Sequence, residues 1–271
     1  MADTDAPLLI EPDDLEERLG TAGLVVVDVS KPDTYGKLHV PGAVHLEFGH
    51  IIDRAQPTKG LLPGDTELTD VLSGLGIRPD SHVVAYDDEG GGRASRLLWT
   101  LDVIGHRRFS LLNGGLHAWA NEGYPVDRAP VAAGRSRYQA EAQDGPVADY
   151  DYVLAHLGDP DVRLLDARSP GEYEGRDVRA ARGGHIPGAV NFEWTLAMDR
   201  ERNLRLKPAA ELEDMLGALG IKRDHEVITY CQTHHRSAHT YIVLKTLGFP
   251  RLKGYPGSWS DWGNRPDAPV E

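Results

Sequence analysis

The chain has 271 residues, 40% of them hydrophobic, which is more than one hydrophobic core usually organises, so a globular protein of two domains is expected. Its formal net charge of -13 excludes a surface that binds nucleic acid or an anionic membrane, since either needs a basic face, and any anionic substrate must be attracted locally. A single cysteine rules out an internal disulfide, the start Met-Ala-Asp-Thr-Asp-Ala-Pro lacks the pattern of a signal peptide, and no run approaches the ~20 apolar residues of a membrane span, so a cytoplasmic location is expected.

In chain order, Leu24–Asp28 reads as a buried strand ending in a carboxylate, followed by Tyr35 and the turn His39-Val-Pro-Gly-Ala-Val44. Leu68, Leu72 and Leu75-Gly76-Ile77 pattern a helix that feeds a buried strand over 83–86. Ala94, Leu97, Leu98 and Leu101 then fall at helical spacing, and 109–112 is the next strand. Leu112-Asn-Gly114-Gly-Leu-His-Ala-Trp119 closes the unit. Residues 127–145, rich in Ala, Gly, Pro and charge, read as a linker.

The same unit then returns. The strand 163–166 ends in Asp166, Tyr173 follows, and His185-Ile-Pro-Gly-Ala-Val190 repeats the turn. The offset grows from 138 to 146 across an eight-residue insertion within 175–184, a charged Gly-rich stretch read as a surface loop. At an offset of 144, Leu212, Leu216, Leu219-Gly220-Ile221, Val227 and Tyr230 match their first-half counterparts, and Leu252-Lys-Gly254-Tyr-Pro-Gly-Ser-Trp259 is matched to the stretch ending in Trp119. A period near 140 is too long for a solenoid repeat and means tandem domains, here 1–128 and 146–271 joined by 129–145. Short apolar strands alternating with helices predict an α/β fold, each domain a parallel sheet with helices on both faces. Ligands in such sheets bind beyond the carboxyl ends of the strands.

At one such end stands Cys231, in the stretch Cys231-Gln232-Thr233-His234-His235-Arg236-Ser237 between the strand 227–230 and a helix marked by Ala238, Tyr241 and Ile242. Backbone N–H groups and the positive end of the helix dipole converge on a side chain at such a turn, which favours a thiolate, the reactive form of cysteine. The polar residues after Cys231 argue against a buried, inert thiol. The first half carries Asp87 at the matching position, followed by Asp88-Glu89-Gly90-Gly91-Gly92. A carboxylate cannot replace a thiolate nucleophile in sulfur chemistry, so only the second domain is expected to be active.

Tandem repeats with Asp at a strand end, His-x-Pro-Gly-Ala, one Cys loop in the second copy and a Gly-Gly-x-x-x-Trp ending resemble the two-domain rhodaneses over almost the whole chain, and the loop Cys-Gln-Thr-His-His-Arg is similar to that of a bacterial subgroup. The resemblance implies transfer of a sulfane sulfur from thiosulfate to cyanide, a thiol or a protein acceptor through a persulfide on Cys231, without metal or other cofactor. On the residues themselves, Arg236 supplies a permanent charge for an anionic donor or acts as a loop staple, and His234 and His235 are additional donors or exposed loop residues. The sequence departs from the mammalian-type loop Cys-Arg-Lys-Gly, from the Cys-Gly-Ser-Gly of mercaptopyruvate-using relatives, and from a basic residue where Glu172 precedes Tyr173.

Four other readings use the same loop: a persulfide carrier that delivers sulfur to a partner protein, a 3-mercaptopyruvate sulfurtransferase, a cysteine phosphatase, and a metal site from Cys231, His234, His235 and His239. Cys-x4-Arg is one residue shorter than the phosphatase Cys-x5-Arg cradle and suits one sulfur atom better than a tetrahedral phosphate. No second ligand pair near the histidines supports the metal.

Overall fold

A computed structural model describes residues 7–53 and 58–271. These fall into two compact units. The first holds the described residues of Met1–Ile52, Pro63–Gln143 and Asp199–Leu206, and the second those of Asp53–Leu62, Asp144–Met198 and Lys207–Glu271. Compactness therefore divides the chain differently from the sequence repeat: each unit takes in a short piece of the other half of the sequence.

The first unit contains β1 (Leu9–Ile10), α1 (Pro12–Arg18), β2 (Leu24–Asp28), α2 (Pro32–Tyr35), β3 (Val44–His45), α3 (Asp65–Gly74), β4 (His82–Tyr86), α4 (Gly92–Val103), β5 (Phe109–Leu112) and α5 (Gly115–Asn121). Its sheet is parallel throughout, in the order β1-β5-β4-β2-β3. Side chains alternate across a strand, so Val26, Val84 and Tyr86 meet Leu15 of α1 and Trp119 of α5 in one cluster. Val27, Val83 and Ala85, also buried, point to the opposite face, and α4 packs on β4.

The chain continues through α6 (Tyr150–Ala155), β6 (Val162–Asp166), α7 (Pro170–Tyr173), β7 (Val190–Asn191), the two-residue strands β8 (Met198–Asp199) and β9 (Arg205–Leu206), α8 (Ala209–Ala218), β10 (Glu226–Tyr230), α9 (Arg236–Thr246), β11 (Leu252–Gly254) and α10 (Ser258–Trp262). In the second unit β11, β10, β6 and β7 form a parallel sheet in that order, with α9 packed on β10 and β11. Val153, Trp259 and Trp262 cover Leu164, Ile228 and Tyr230 in one core cluster.

Register fixes the ends of the central strands. Asp28 pairs with Tyr86 and Asp166 with Tyr230, so each strand-end carboxylate lies beside the tyrosine that precedes Asp87 or Cys231. The tyrosine hydroxyls accept from Val40 N at 2.9 Å and Ile186 N at 3.2 Å, the residues after the turn histidines, which accounts for the repeated His-x-Pro-Gly-Ala turn. The β11 register corrects one sequence match. Val83 pairs with Phe109 and Val227 with Leu252, so Phe109 corresponds to Leu252 and Trp119 to Trp262, three residues on from the match to Trp259. Both of these tryptophans donate their indole N–H to a following proline-residue carbonyl, Trp119 to Pro125 O and Trp262 to Pro269 O.

The stretch read as a linker is tied to α3. Ser136 N and Tyr138 N donate to Ser73 O at 2.9 Å and Ser73 Oγ at 3.1 Å, Ala140 N donates to Thr69 Oγ1 at 2.9 Å, and Tyr138 is buried. The bonds come from the backbone, which composition does not reveal.

Asp166 and Arg168 are both buried and joined by Nε and Nη2 contacts of 3.0 and 2.6 Å, with the guanidinium carbon 4.5 Å from the Trp259 ring centroid. At the matching position the first unit has Ser30, and burial holds Asp28 above the ordinary carboxylate value. Arg168→Met leaves Asp166 buried without its cation and should destabilise the second unit by about 3–5 kcal/mol, measured by denaturant unfolding.

Candidate active site

Cys231 follows the last residue of β10 and precedes α9 by five residues. It is 1% exposed, so the expectation that polar neighbours keep this thiol at the surface is corrected. Of the loop's polar residues, His234 and Ser237 are buried with it. The Thr233 and Ser237 amides and the Ser237 hydroxyl donate to it. Burial alone pushes the thiol pKa up, but the Arg236 charge, the Ser237 hydroxyl and the two amides outweigh it, and the net shift is downward. Buried here does not mean inert.

The loop is anchored from below by Ser258, whose Oγ accepts from Cys231 N at 3.2 Å and His234 N at 3.1 Å and donates to Tyr255 O at 2.7 Å. Ser258 has φ 51°, and its counterpart in the first unit is Gly115 at φ 53°. A left-handed serine is strained where glycine is not, and here the hydroxyl that glycine lacks carries the anchoring. The first amides of α10 add to this, Trp259 N donating to Cys231 O at 2.9 Å and Ser260 N to Gln232 O at 3.0 Å.

His234 also has a positive φ, 51°, at the position matching Gly90, and is fully buried. Its Nδ1 lies 2.8 Å from Ser237 Oγ. Since the Ser237 proton is directed at the sulfur, His234 Nδ1–H is the donor to Ser237 Oγ, and a chain of two hydrogen bonds ends on Cys231. His234 is therefore no exposed loop residue. His235 is half-buried, its ring 6.1 Å from that of Trp194, which also meets the buried His239 edge-on at 5.4 Å. Gln232 and Thr233 are half-buried, and Gln232 Nε2 donates to Arg179 O at 3.2 Å. Among the described residues no group of three or more His, Cys, Asp or Glu is placed to hold a metal.

Arg236 points to Glu172, donating from Nη1 to Oε2 at 2.6 Å and from Nη2 to Oε1 at 2.8 Å. Glu172, only 2% exposed, also forms a capping box with Ser169 at the start of α7. Burial raises its carboxyl pKa, but the bonds and charge of Arg236, the Ser169 amide and Arg179 bring it down to about 2. The glutamate that departs from the family pattern is thus the partner of the loop arginine. Sequence reasoning missed this pairing, Ser258 and Gly60. Gly60 has φ 95°, and a Cβ there would lie 2.5 Å from Thr233 O, so the segment around it touches the loop backbone where only glycine fits.

The rhodanese-like domain model matches residues 11–122 and 149–265. The chain belongs to the rhodanese-like family. Two relatives named thiosulfate sulfurtransferase are each 48% identical: one from Pseudomonas aeruginosa, matched over 99% of this chain and 98% of its own, and one from Azotobacter vinelandii, over 98% and 97%. The solved 3-mercaptopyruvate sulfotransferase SseA from Escherichia coli superposes with a TM-score of 0.83 at 26% identity, covering 94% of this chain and 99% of that one.

The second rhodanese-like copy has an internal control in the first. Asp87 is fully buried, and its carboxylate accepts from Glu89 N at 3.0 Å, Gly91 N at 2.8 Å and Ala94 N at 2.9 Å. Glu89 corresponds to Thr233, whose amide reaches the sulfur in the second copy. The Asp87 pKa is raised by burial and the Glu89 charge against the pull of the Ala94, Glu89 and Gly91 amides. The cradle persists, filled by a carboxylate.

Three outcomes are expected. Because this is the only cysteine, thiolate absorbance or alkylation rate against pH reports it alone, and the midpoint should fall below the ordinary 9.0. Arg236→Gln removes the cation and should move that midpoint up by about one unit or more. Gly60→Ala, strained at positive φ and pressed on Thr233 O, should cost at least ~1 kcal/mol in thermal unfolding and disturb this titration as well.

Proposed function

We propose that this protein is a thiosulfate sulfurtransferase of the cytoplasm, with Cys231 as nucleophile and the loop 231–237 as the cradle of its persulfide. The observation that carries the reading is a buried thiol whose pKa is lowered by one arginine, one hydroxyl and two amides, in the copy of the repeat that has a cysteine. The two relatives named thiosulfate sulfurtransferase support the donor, and the single cysteine, with no disulfide to form, supports the compartment.

In the first step the Cys231 thiolate attacks the outer sulfur of thiosulfate. A new S–S bond forms, the donor S–S bond breaks, and sulfite leaves with the bonding pair. In the second, a thiophile such as cyanide attacks the outer sulfur, thiocyanate forms, and the electron pair returns to Cys231 as thiolate. Neither step needs an external oxidant, reductant or metal. The amides of Thr233 and Ser237 favour an anion at the sulfur in every state, and Arg236 balances that charge from its position on Glu172. The carboxylate of Asp87 supports a persulfide held by loop amides, since its oxygens stand two bonds from Cβ, as the outer sulfur would, and accept from three amides.

Intact mass spectrometry tests this. The protein incubated with thiosulfate should gain the mass of one sulfur and lose it on adding cyanide, while Cys231→Ala should remain folded, gain nothing and lose turnover by at least about 1,000-fold. A Cys231→Ala variant that still makes thiocyanate would refute the mechanism. A wild-type protein that gains no sulfur from thiosulfate would remove thiosulfate as donor.

A further inference from the structure

The charges around Cys231 leave a problem for an anionic donor. The thiolate is negative, and the Arg236 cation is held by both of its Nη atoms on the Glu172 carboxylate. These three groups sum to one negative charge. A dianion approaching them is repelled, and the long-range field of a chain of net charge -13 adds to the repulsion.

The insertion supplies a further cation. It lies in the second copy alone, is folded against its own unit, and has a pinched base, where a Cβ on Gly175 would lie 2.7 Å from Gly184 N. Arg182 caps the end of α10, donating to Ala268 O at 2.6 Å and Trp262 O at 3.1 Å, and Ala181 N donates to Asn264 Oδ1 at 2.8 Å. This framework fixes the backbone of Arg179, whose carbonyl accepts from Gln232, the residue after Cys231. The Arg179 side chain is 62% exposed and forms one ion pair, Nε to Glu172 Oε1 at 3.4 Å, longer than the two bonds of Arg236 to the same carboxylate. Arg176 is paired with Glu174, and Arg182 is committed to carbonyls, so Arg179 is the arginine of the insertion presented beside the loop.

We propose that Arg179 forms the donor subsite, its guanidinium receiving the anionic sulfonate end of the sulfur donor while the outer sulfur meets Cys231. The inference rests on Cys231 as the nucleophile. The two arginines divide the work: Arg236, fixed by Glu172, stabilises the thiolate, and Arg179, exposed and adaptable, attracts a substrate with a fork of donors suited to an oxyanion. The ligand class is a small sulfur-bearing oxyanion. An insertion absent from the copy with Asp87 is what a substrate-facing device requires, since that copy has no nucleophile to serve.

The test compares wild type with Arg179→Gln and Arg179→Lys. For thiosulfate, Arg179→Gln should raise KM about tenfold with kcat within about twofold, and the rise of KM with ionic strength should flatten, while Arg179→Lys stays close to wild type. Alkylation of Cys231 gives a readout without the donor: Arg179→Gln should slow anionic iodoacetate several-fold relative to neutral iodoacetamide. An unchanged thiosulfate KM overturns the proposal. So does equal slowing of both reagents, which would mark a structural role. Failure of the Cys231 reading is seen separately, as wild-type protein that takes up no sulfur.

Discussion

Each unit is arranged around one demand: an ionisable side chain must be accommodated out of water at the turn between a parallel strand and the helix after it. Water's contribution has to be replaced by fixed donors, and the backbone supplies them, because amides at a strand end and a helix start are left without partners of their own. The rest follows from keeping those amides aimed. Tyr86 and Tyr230 end the strands beside Asp28 and Asp166, and their hydroxyls hold the turns that carry Val40 and Ile186. Ser258 gathers two amides from beneath the second loop. Asp87 and Cys231 are two occupants of one kind of cradle.

The balance at Cys231 is between large opposing effects. Burial opposes ionisation, and an uncompensated thiolate in this position would be costly. The Arg236 charge decides the sign, with Ser237 and the amides adding to it. Arg236 can do this from a half-buried position because Glu172 fixes it with two short bonds. The glutamate limits how much of the charge an approaching anion feels, while the Arg236 charge still acts on the sulfur.

Much of the fold was legible because local patterns and global structure agree. The sequence strands at 24–28, 83–86, 109–112, 163–166 and 227–230 appear within a residue of the observed ones. Comparing the two copies identified Asp87 and Cys231 as equivalents. Other features rest on contacts between residues far apart in sequence. Nothing local marks Glu172 as the partner of Arg236, sixty-four residues away, or Gly60 as a neighbour of Thr233. Gly and Trp alone align the last strand three residues away from its true place, which hydrogen bonding of β11 to β10 sets. The sequence leaves His234 as either a donor or an exposed loop residue, because its positive φ and its burial cannot be inferred from composition. A signal existed for one of these, Glu172, an acidic residue where the mammalian-type relatives have a basic one.

The composition of the units bears on how the protein is made. The first unit includes residues 199–206, where Arg205 pairs with Glu11 and Leu206 N donates to Asn113 Oδ1 at 2.8 Å. During synthesis those residues emerge long after the first sheet has left the ribosome, so the leading half must wait, incomplete, for a piece encoded more than seventy residues beyond its own repeat. The trailing half, in turn, depends on Gly60, made early. Domains usually fold as each is completed. Here each compact unit is complete only when residues from both halves of the sequence have been made.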